Sequence, residues 1–228
     1  MKNKTIIFLM TVFASAMFFS CSDDEETTPA KVSASASGTW TDPRDGNEYG
    51  WVRYGDTDWM TTNMKYNVEG STVYEDYDNR YTVTQENLAK YGRLYNYQEA
   101  LAACPEGWRI PTDADWQKLE QHLGMSASEA NGLDWRGNIA RSMLTLKGDT
   151  CDLGLQLGGY YTDHTIMGSS GWRFMGVYAF YWTSTQDTSK DGQYYFYRKL
   201  TYAKNSVYRQ SMEPEEQYLS VRCVRDAQ

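Results

Sequence analysis

The side chains in this sequence with obvious capacity for chemistry are four cysteines, Cys21, Cys104, Cys151 and Cys223, and two histidines, His122 and His164. Asp163-His164 invites a base-and-orienter reading, yet residues adjacent in sequence rarely face each other, and the chain has no Gly-x-Ser-x-Gly elbow. His122 falls in a helical pattern and is expected in solvent. No Cys/His spacing suits zinc. Asp42, Asp45 and Asn47 could offer a hard cation three oxygens, but calcium wants more, and a plain Asp45-Gly46 turn explains them. These residues therefore predict no catalytic group, no metal site and no cofactor, and the chain is expected not to be an enzyme.

Cys21 has a neighbourhood that core packing does not explain. It ends the apolar run Thr5–Phe19, which follows Lys2 and Lys4, and it precedes Asp23, Asp24, Glu25 and Glu26. Four acids must stay hydrated, so this cysteine is not expected in a core. The run of about 15 residues is shorter than the roughly 20 needed to span a bilayer, and the whole reads as an export signal over residues 1–20. Cys21 resembles the lipidated first residue of a bacterial lipoprotein, although Phe18-Phe19-Ser20 departs from the commonest cleavage box. "CSDDEE" resembles the export tag of surface lipoproteins of the Bacteroidetes. The expected partner is thus a membrane, through a lipid anchor on Cys21, with outer-membrane localisation facing the exterior. Removing the first 20 residues leaves 20 basic against 30 acidic residues. Such a balance supplies no concentrated positive surface, and nucleic acid is not an expected partner.

Residues 21–37 are acidic and Ser-rich with little apolar area to offset the entropy of ordering, so they are expected to form a disordered tether. Residues 38–228 are then one domain. The chain's 8 Trp and 19 Tyr all fall within it, with three of the 7 Phe, and they point to β structure with an aromatic core. Alternation and Gly55-Asp56 predict a hairpin of Glu48–Tyr54 with Thr57–Met60. Asn96 with Glu99, and Thr112 with Asp115, have capping-box spacing at the starts of two helices. Trp116, Leu119 and Leu123 share a face of the second, and Gly124 offers its stop. A short helical piece is expected over 138–144. Strands are expected over 155–160, 177–184, 193–202, 206–210 and 218–225. Strands, then helices, then strands predict an α+β domain whose ends can meet.

The segments "DPRDGNEYGWVRYGDTDWMTTNM", "YGRLYNYQEALAACPEGWRIPTDADWQKLE", "YWTST" and "VRCVRD" carry a family resemblance. In order they contain Trp-Met-x-x-Asn-Met at 59–64, Cys-Pro-x-Gly-Trp-x-x-Pro at 104–111 and Val-Arg-Cys-Val at 221–224. Over about Thr41–Asp226 the chain resembles the Fibrobacter succinogenes major paralogous domain, or FISUMP. The resemblance implies a C-type-lectin-like fold: antiparallel sheets, two main helices and a long loop region. It does not carry an activity with it, because function lives in sites and not in folds. With Cys21 lipidated, three cysteines remain and sequence alone allows three pairings. The lectin-like fold implies the pair Cys104–Cys223, leaving Cys151 as a buried small residue or free thiol. A related fold hosts formylglycine-generating oxidases, but their reactive cysteine pair has no counterpart here. Calcium-dependent lectins place Trp-Asn-Asp where this chain has Trp182-Thr183-Ser184, so that sugar site is not recognisable. Glu213-Pro214-Glu215 follows that strand and reads as an exposed turn.

Tyr160–Tyr181, "YYTDHTIMGSSGWRFMGVYAFY", falls where such a fold carries its long loop. Tyr161, His164, Trp172, Arg173 and Tyr178 are the candidate ligand-binding residues, because flat rings can stack on sugars or fill a partner's pocket. The same rings could instead roof the core. The expected function is a non-catalytic cell-surface domain that recognises a glycan, with polysaccharide as its partner. The alternative is a structural or adhesive subunit that docks on a surface protein.

Overall fold

The computed structural model describes residues 32–75, 82–144, 151–166, 169–215 and 217–228. Cys21, the expected export signal and the expected tether as far as residue 31 lie outside the described residues. The domain is α+β, with two sheets among the described residues.

The predicted hairpin forms as read. β2 (Glu48–Tyr54) pairs with β3 (Thr57–Met60), setting Val52 opposite Trp59. β1 (Ala36–Thr41) joins outside β2, and β12 (Val224–Asp226) joins outside β3, so both ends of the domain meet in one antiparallel sheet. β1 begins inside the stretch expected to be tether. Its small residues give no apolar pattern; it is ordered by backbone pairing, and Gly38 leaves room for the Trp51 ring, which a Cβ would approach to 2.8 Å. Val32 and Ala34 pack on the core as well.

α1 (Thr82–Tyr91), which sequence reading did not find, is followed by β4 (Leu94–Tyr95). Both predicted capping boxes are present. α2 (Tyr97–Ala103) starts with Asn96 accepting from the Glu99 amide at 2.9 Å, while the Asn96 amide donates to the Glu99 carboxylate at 3.0 Å. α3 (Asp113–His122) repeats this with Thr112 and Asp115 at 3.0 and 2.7 Å. A third box, Ser126 with Glu129, opens α4 (Ala127–Asn131). Each satisfies amides that a bare helix start would leave without partners. β5 (Asp134–Arg136) and α5 (Ala140–Met143) follow, the latter shorter than the helical piece expected over 138–144.

The larger sheet has the order β5-β10-β9-β8-β11-β6-β7, with β4 also on β11. Its remaining strands are β6 (Tyr160–Ile166), β7 (Ser169–Arg173), β8 (Tyr178–Gln186), β9 (Tyr195–Thr201), β10 (Val207–Met212) and β11 (Gln217–Ser220). β8 is central and buried on both faces. Ala179 and Tyr181 belong to the core under α3 with Trp116 and Leu119; Phe180 and Trp182 belong to the core under α2 with Tyr97, Ala100 and Ala103. Tyr181 lies 5.8 Å from Trp116, and Trp182 lies 5.6 Å from Tyr97. Period-2 alternation thus sends two helices to opposite faces of one sheet.

Three expectations need correction. The strand expected over 155–160 is irregular until Tyr160, because Gly159 holds φ +67° and a Cβ there would come within 2.2 Å of the Arg173 carbonyl. The expected long loop Tyr160–Tyr181 is, in its described residues, a pair of strands leading into a third, since β6 and β7 pair with each other. The single strand expected over 218–225 is two, β11 and β12, in different sheets. Between them buried Arg222 donates to the carbonyls of Met60, Leu153 and Gly154 and to Asn63, at 2.8–3.0 Å. Cys223 beside it forms a disulfide with Cys104, Cα atoms 5.8 Å apart, across 119 residues. Cys151 is buried, and its sulfur donates to the Ser142 carbonyl at 2.8 Å.

Candidate functional site

A groove of about 280 Å³ opens at the start of α2. Asn96, Tyr97 and Gln98 form one wall, Gln193 comes from the turn before β9, and Pro214, Glu215 and Tyr218 come from the turn into β11 and from β11 itself. The capping box fixes the first wall, since it holds Asn96 and Glu99 against each other. Burial pushes up the Tyr97 hydroxyl, which donates to the Ser184 carbonyl at 3.3 Å, and the Tyr97 ring stacks on Tyr195 at 3.7 Å. Tyr218 is half-buried, while Gln98, Gln193 and Glu215 are exposed. The amides of Gln98 and Gln193 make no hydrogen bond to another described residue. A concave surface with ring faces and free amide and carboxylate groups at its rim can stack on an apolar face and orient hydroxyls together.

The β6–β7 pair extends this site. Tyr161 stands opposite Trp172, with ring centroids 5.0 Å apart, and meets the edge of Tyr218 at 5.1 Å. The Tyr218 hydroxyl donates to Asp163 at 2.9 Å. A hydrogen bond to the same carboxylate, with burial second, pushes the Tyr161 hydroxyl up to about 12. Burial raises Glu99, with Asp163 adding to the effect. Tyr161 and Trp172, proposed from sequence, therefore sit together beside the groove through Tyr218. Arg173 faces Tyr160 and donates to the Trp172 carbonyl at 3.1 Å. Tyr178 belongs elsewhere: its ring packs with Phe174 at 5.3 Å and Phe180 at 5.9 Å. His164 is in β6, and its side chain lies outside the described residues.

The groove itself escaped sequence reading. Its members come from three separated segments, and the Glu213-Pro214-Glu215 turn, read as exposed, supplies part of its rim. The one local signal was Asn96-x-x-Glu99, which fixes where α2 starts. Other candidate residues serve the scaffold. Trp182 donates to the Tyr95 carbonyl at 2.9 Å and Thr183 to the Phe196 carbonyl at 2.9 Å, so these positions are committed internally. Asp42 is held in the fork of Arg44, and Asp45 accepts from Asn47, as a turn requires. His122 is exposed, 5.4 Å from Tyr54, beside a depression where Lys118 pairs with Asp56 at 3.2 Å.

On the opposite side of the sheet lies a buried charge network. Arg198 reaches Asp113 at 2.6 Å and Glu120 at 2.7 Å; Arg136 reaches Glu120 at 2.6 Å; Arg209 reaches Asp113 at 2.7 Å. Burial would raise Asp113, but hydrogen bonds from Arg209 and the charge of Arg198 hold it below the usual carboxylate range. Burial lowers Arg136 from its ordinary value, with Glu120 opposing. These groups are spent on each other.

A disulfide-closed α+β domain with a half-open aromatic groove is the class that fold and site define. The chain belongs to the Fibrobacter succinogenes major domain family, whose model matches residues 52–225. No curated protein and no solved structure matches the chain.

Proposed function

We propose that this is a lipid-anchored surface protein whose domain, C-type-lectin-like in plan, binds glycans without turning them over. The observation that carries the reading is the groove over buried Tyr97, where the half-buried Tyr218 ring and the uncommitted polar groups of Gln98, Gln193 and Glu215 converge. Sugars present both an apolar ring face and hydroxyls, and bind where these two requirements are met at once. The meeting of β1 and β12, the two ends of the domain, in one sheet, the helices α2 and α3 and the Cys104–Cys223 bridge support the lectin-like plan. Lys2 and Lys4, the apolar run and Cys21 before four acids support the anchor and the outer-membrane location.

The test is electrophoresis of the full chain, purified in detergent, through gels containing neutral polysaccharides such as mannan, xylan or β-glucan. At least one should retard it, and Tyr218→Ala or the double change Gln98→Ala, Gln193→Ala should remove the retardation while Tyr218→Phe keeps most of it. Unretarded migration in all of them, with a cell-surface protein co-purifying, would favour a docking subunit instead.

A further inference from the structure

A second surface, apart from the groove, carries a different chemistry. Register places Trp135, Tyr208, Lys199 and Phe180 side by side across β5, β10, β9 and β8. That is three strand spacings, about 14 Å. Phe180 is buried in the floor, whereas Trp135, Tyr208 and Lys199 are half-exposed, as is Tyr178 next to them. The Lys199 ammonium lies 3.8 Å from the Tyr208 ring centroid, 5.2 Å from Trp135 and 5.9 Å from Tyr178. Lys204, exposed, lies 4.9 Å from Trp135.

Rings fix the position of an ammonium without cancelling its charge. Among the described residues no carboxylate ion-pairs with Lys199 or Lys204. Asp134 is the carboxylate whose field reaches Lys199, and it accepts from Gln210 at 3.5 Å. Burial lowers Lys199 from its ordinary value, the sign of an ammonium partly stripped of water. The charge network under α3 shows the contrast, since there every guanidinium meets a carboxylate.

We infer that this row binds an acidic polysaccharide, with Lys199 and Lys204 taking its anionic groups while Trp135 and Tyr208 flank the chain. The occupant follows from charge complementarity: two neighbouring cations held by rings and ion-paired by no described carboxylate select an anionic ligand. A run of ring edges and faces across four strands suits an extended chain of sugar rings, one residue being about as long as the strand spacing.

The experiment is retardation of the full chain, purified in detergent, in gels with polygalacturonate and, in parallel, neutral β-glucan. Polygalacturonate should retard it, less as salt is raised, and Lys199→Gln with Lys204→Gln should weaken that binding about fivefold or more. The neutral polymer should be unaffected by these changes. Lys199→Arg should retain most binding, and Lys204→Gln alone, at an exposed site, covers the case of a poorly folded Lys199 variant. No retardation by polygalacturonate, or equal retardation of parent and variants, would overturn the inference. So would a concentration-dependent dimer lost in the variants, which would assign the face to a second copy. Because the groove variants act on neutral polymers, failure here leaves the groove reading standing, and the reverse also holds.

Discussion

The face of the larger sheet under α3 and the edge where α2 opens the groove treat polar groups in opposite ways. Under α3, Asp113 and Glu120 are enclosed with Arg136, Arg198 and Arg209, and each charge is met within the protein. At the groove, Gln98, Gln193 and Glu215 stand in water beside Tyr97 and Tyr218. The first arrangement specifies a fold, because an unmet buried charge is costly; the second leaves hydrogen-bonding capacity for something from outside. Burial of a polar group is thus the poorer guide to function here, and incomplete satisfaction at a rim is the better one.

The largest expected effect breaks the first side of this contrast. Glu120→Gln removes a carboxylate from Arg136 and Arg198 together, and should cost about 3–5 kcal/mol of unfolding free energy, read by urea denaturation. Glycan retardation should persist wherever the variant is folded. A loss below about 1 kcal/mol would mean the network is wetter or looser than its distances indicate.

Next comes the disulfide, which joins the C-terminal end of α2 to the segment between β11 and β12. Cys104→Ser with Cys223→Ser should cost about 2–5 kcal/mol. Hydrogen exchange should quicken in α2 more than in α3, because the bridge fastens the groove side. Equal quickening in both helices would show that the two regions are not separable.

Acid sharpens the comparison further. The folded-state value of Asp113 lies below its ordinary 3.8, so its contribution to stability is present above that value and fades as pH falls through the folded-state value. The thermal midpoint should therefore drop below about pH 4, and Asp113→Asn should flatten that limb. Glu99 has the opposite sign, since burial raises it and its ionised form is disfavoured by folding. Its contribution should weaken stability slightly as pH rises through its ordinary value of 4.5.

At the smaller end, Tyr218→Ala should weaken glycan binding by about 1–2 kcal/mol, read by titration with the best retarding polymer, while the unfolding free energy changes less than with Glu120→Gln. A stability loss as large as that of Glu120→Gln would place Tyr218 with the scaffold.

What the sequence made legible were the elements specified locally. The Asn96/Glu99 and Thr112/Asp115 boxes act over three residues, and the β2–β3 hairpin is written in alternation about a Gly-Asp turn. β1 was not legible, because "ASGTWT" gains its order from β2, and α1 was missed although Thr82-x-x-Gln85 at its start has capping-box spacing. The Cys104–Cys223 pair was reached only through the family resemblance, since three cysteines permit three pairings. Residues 113, 120, 136, 198 and 209 are scattered through the sequence and meet only in the fold. The groove was hidden for the same reason: Gln98, Gln193 and Tyr218 become neighbours only across segments. Tyr161 and Trp172 were chosen for ring type, and cross-strand pairing put them beside Tyr218; Tyr178 was chosen on the same ground and lies with Phe174 and Phe180.

The most direct test follows the side-chain amides of the full chain, labelled with 15N-glutamine, during titration with neutral oligosaccharides of glucose, mannose, xylose and galactose. Gln117 is the internal control, since it donates to Asp113 at 2.8 Å on the charge-network side. The account predicts that at least one sugar shifts the Gln98 and Gln193 signals together and leaves Gln117 in place. A bound sugar that moves Gln117 and neither groove amide, or a panel that moves none of the three, would contradict it.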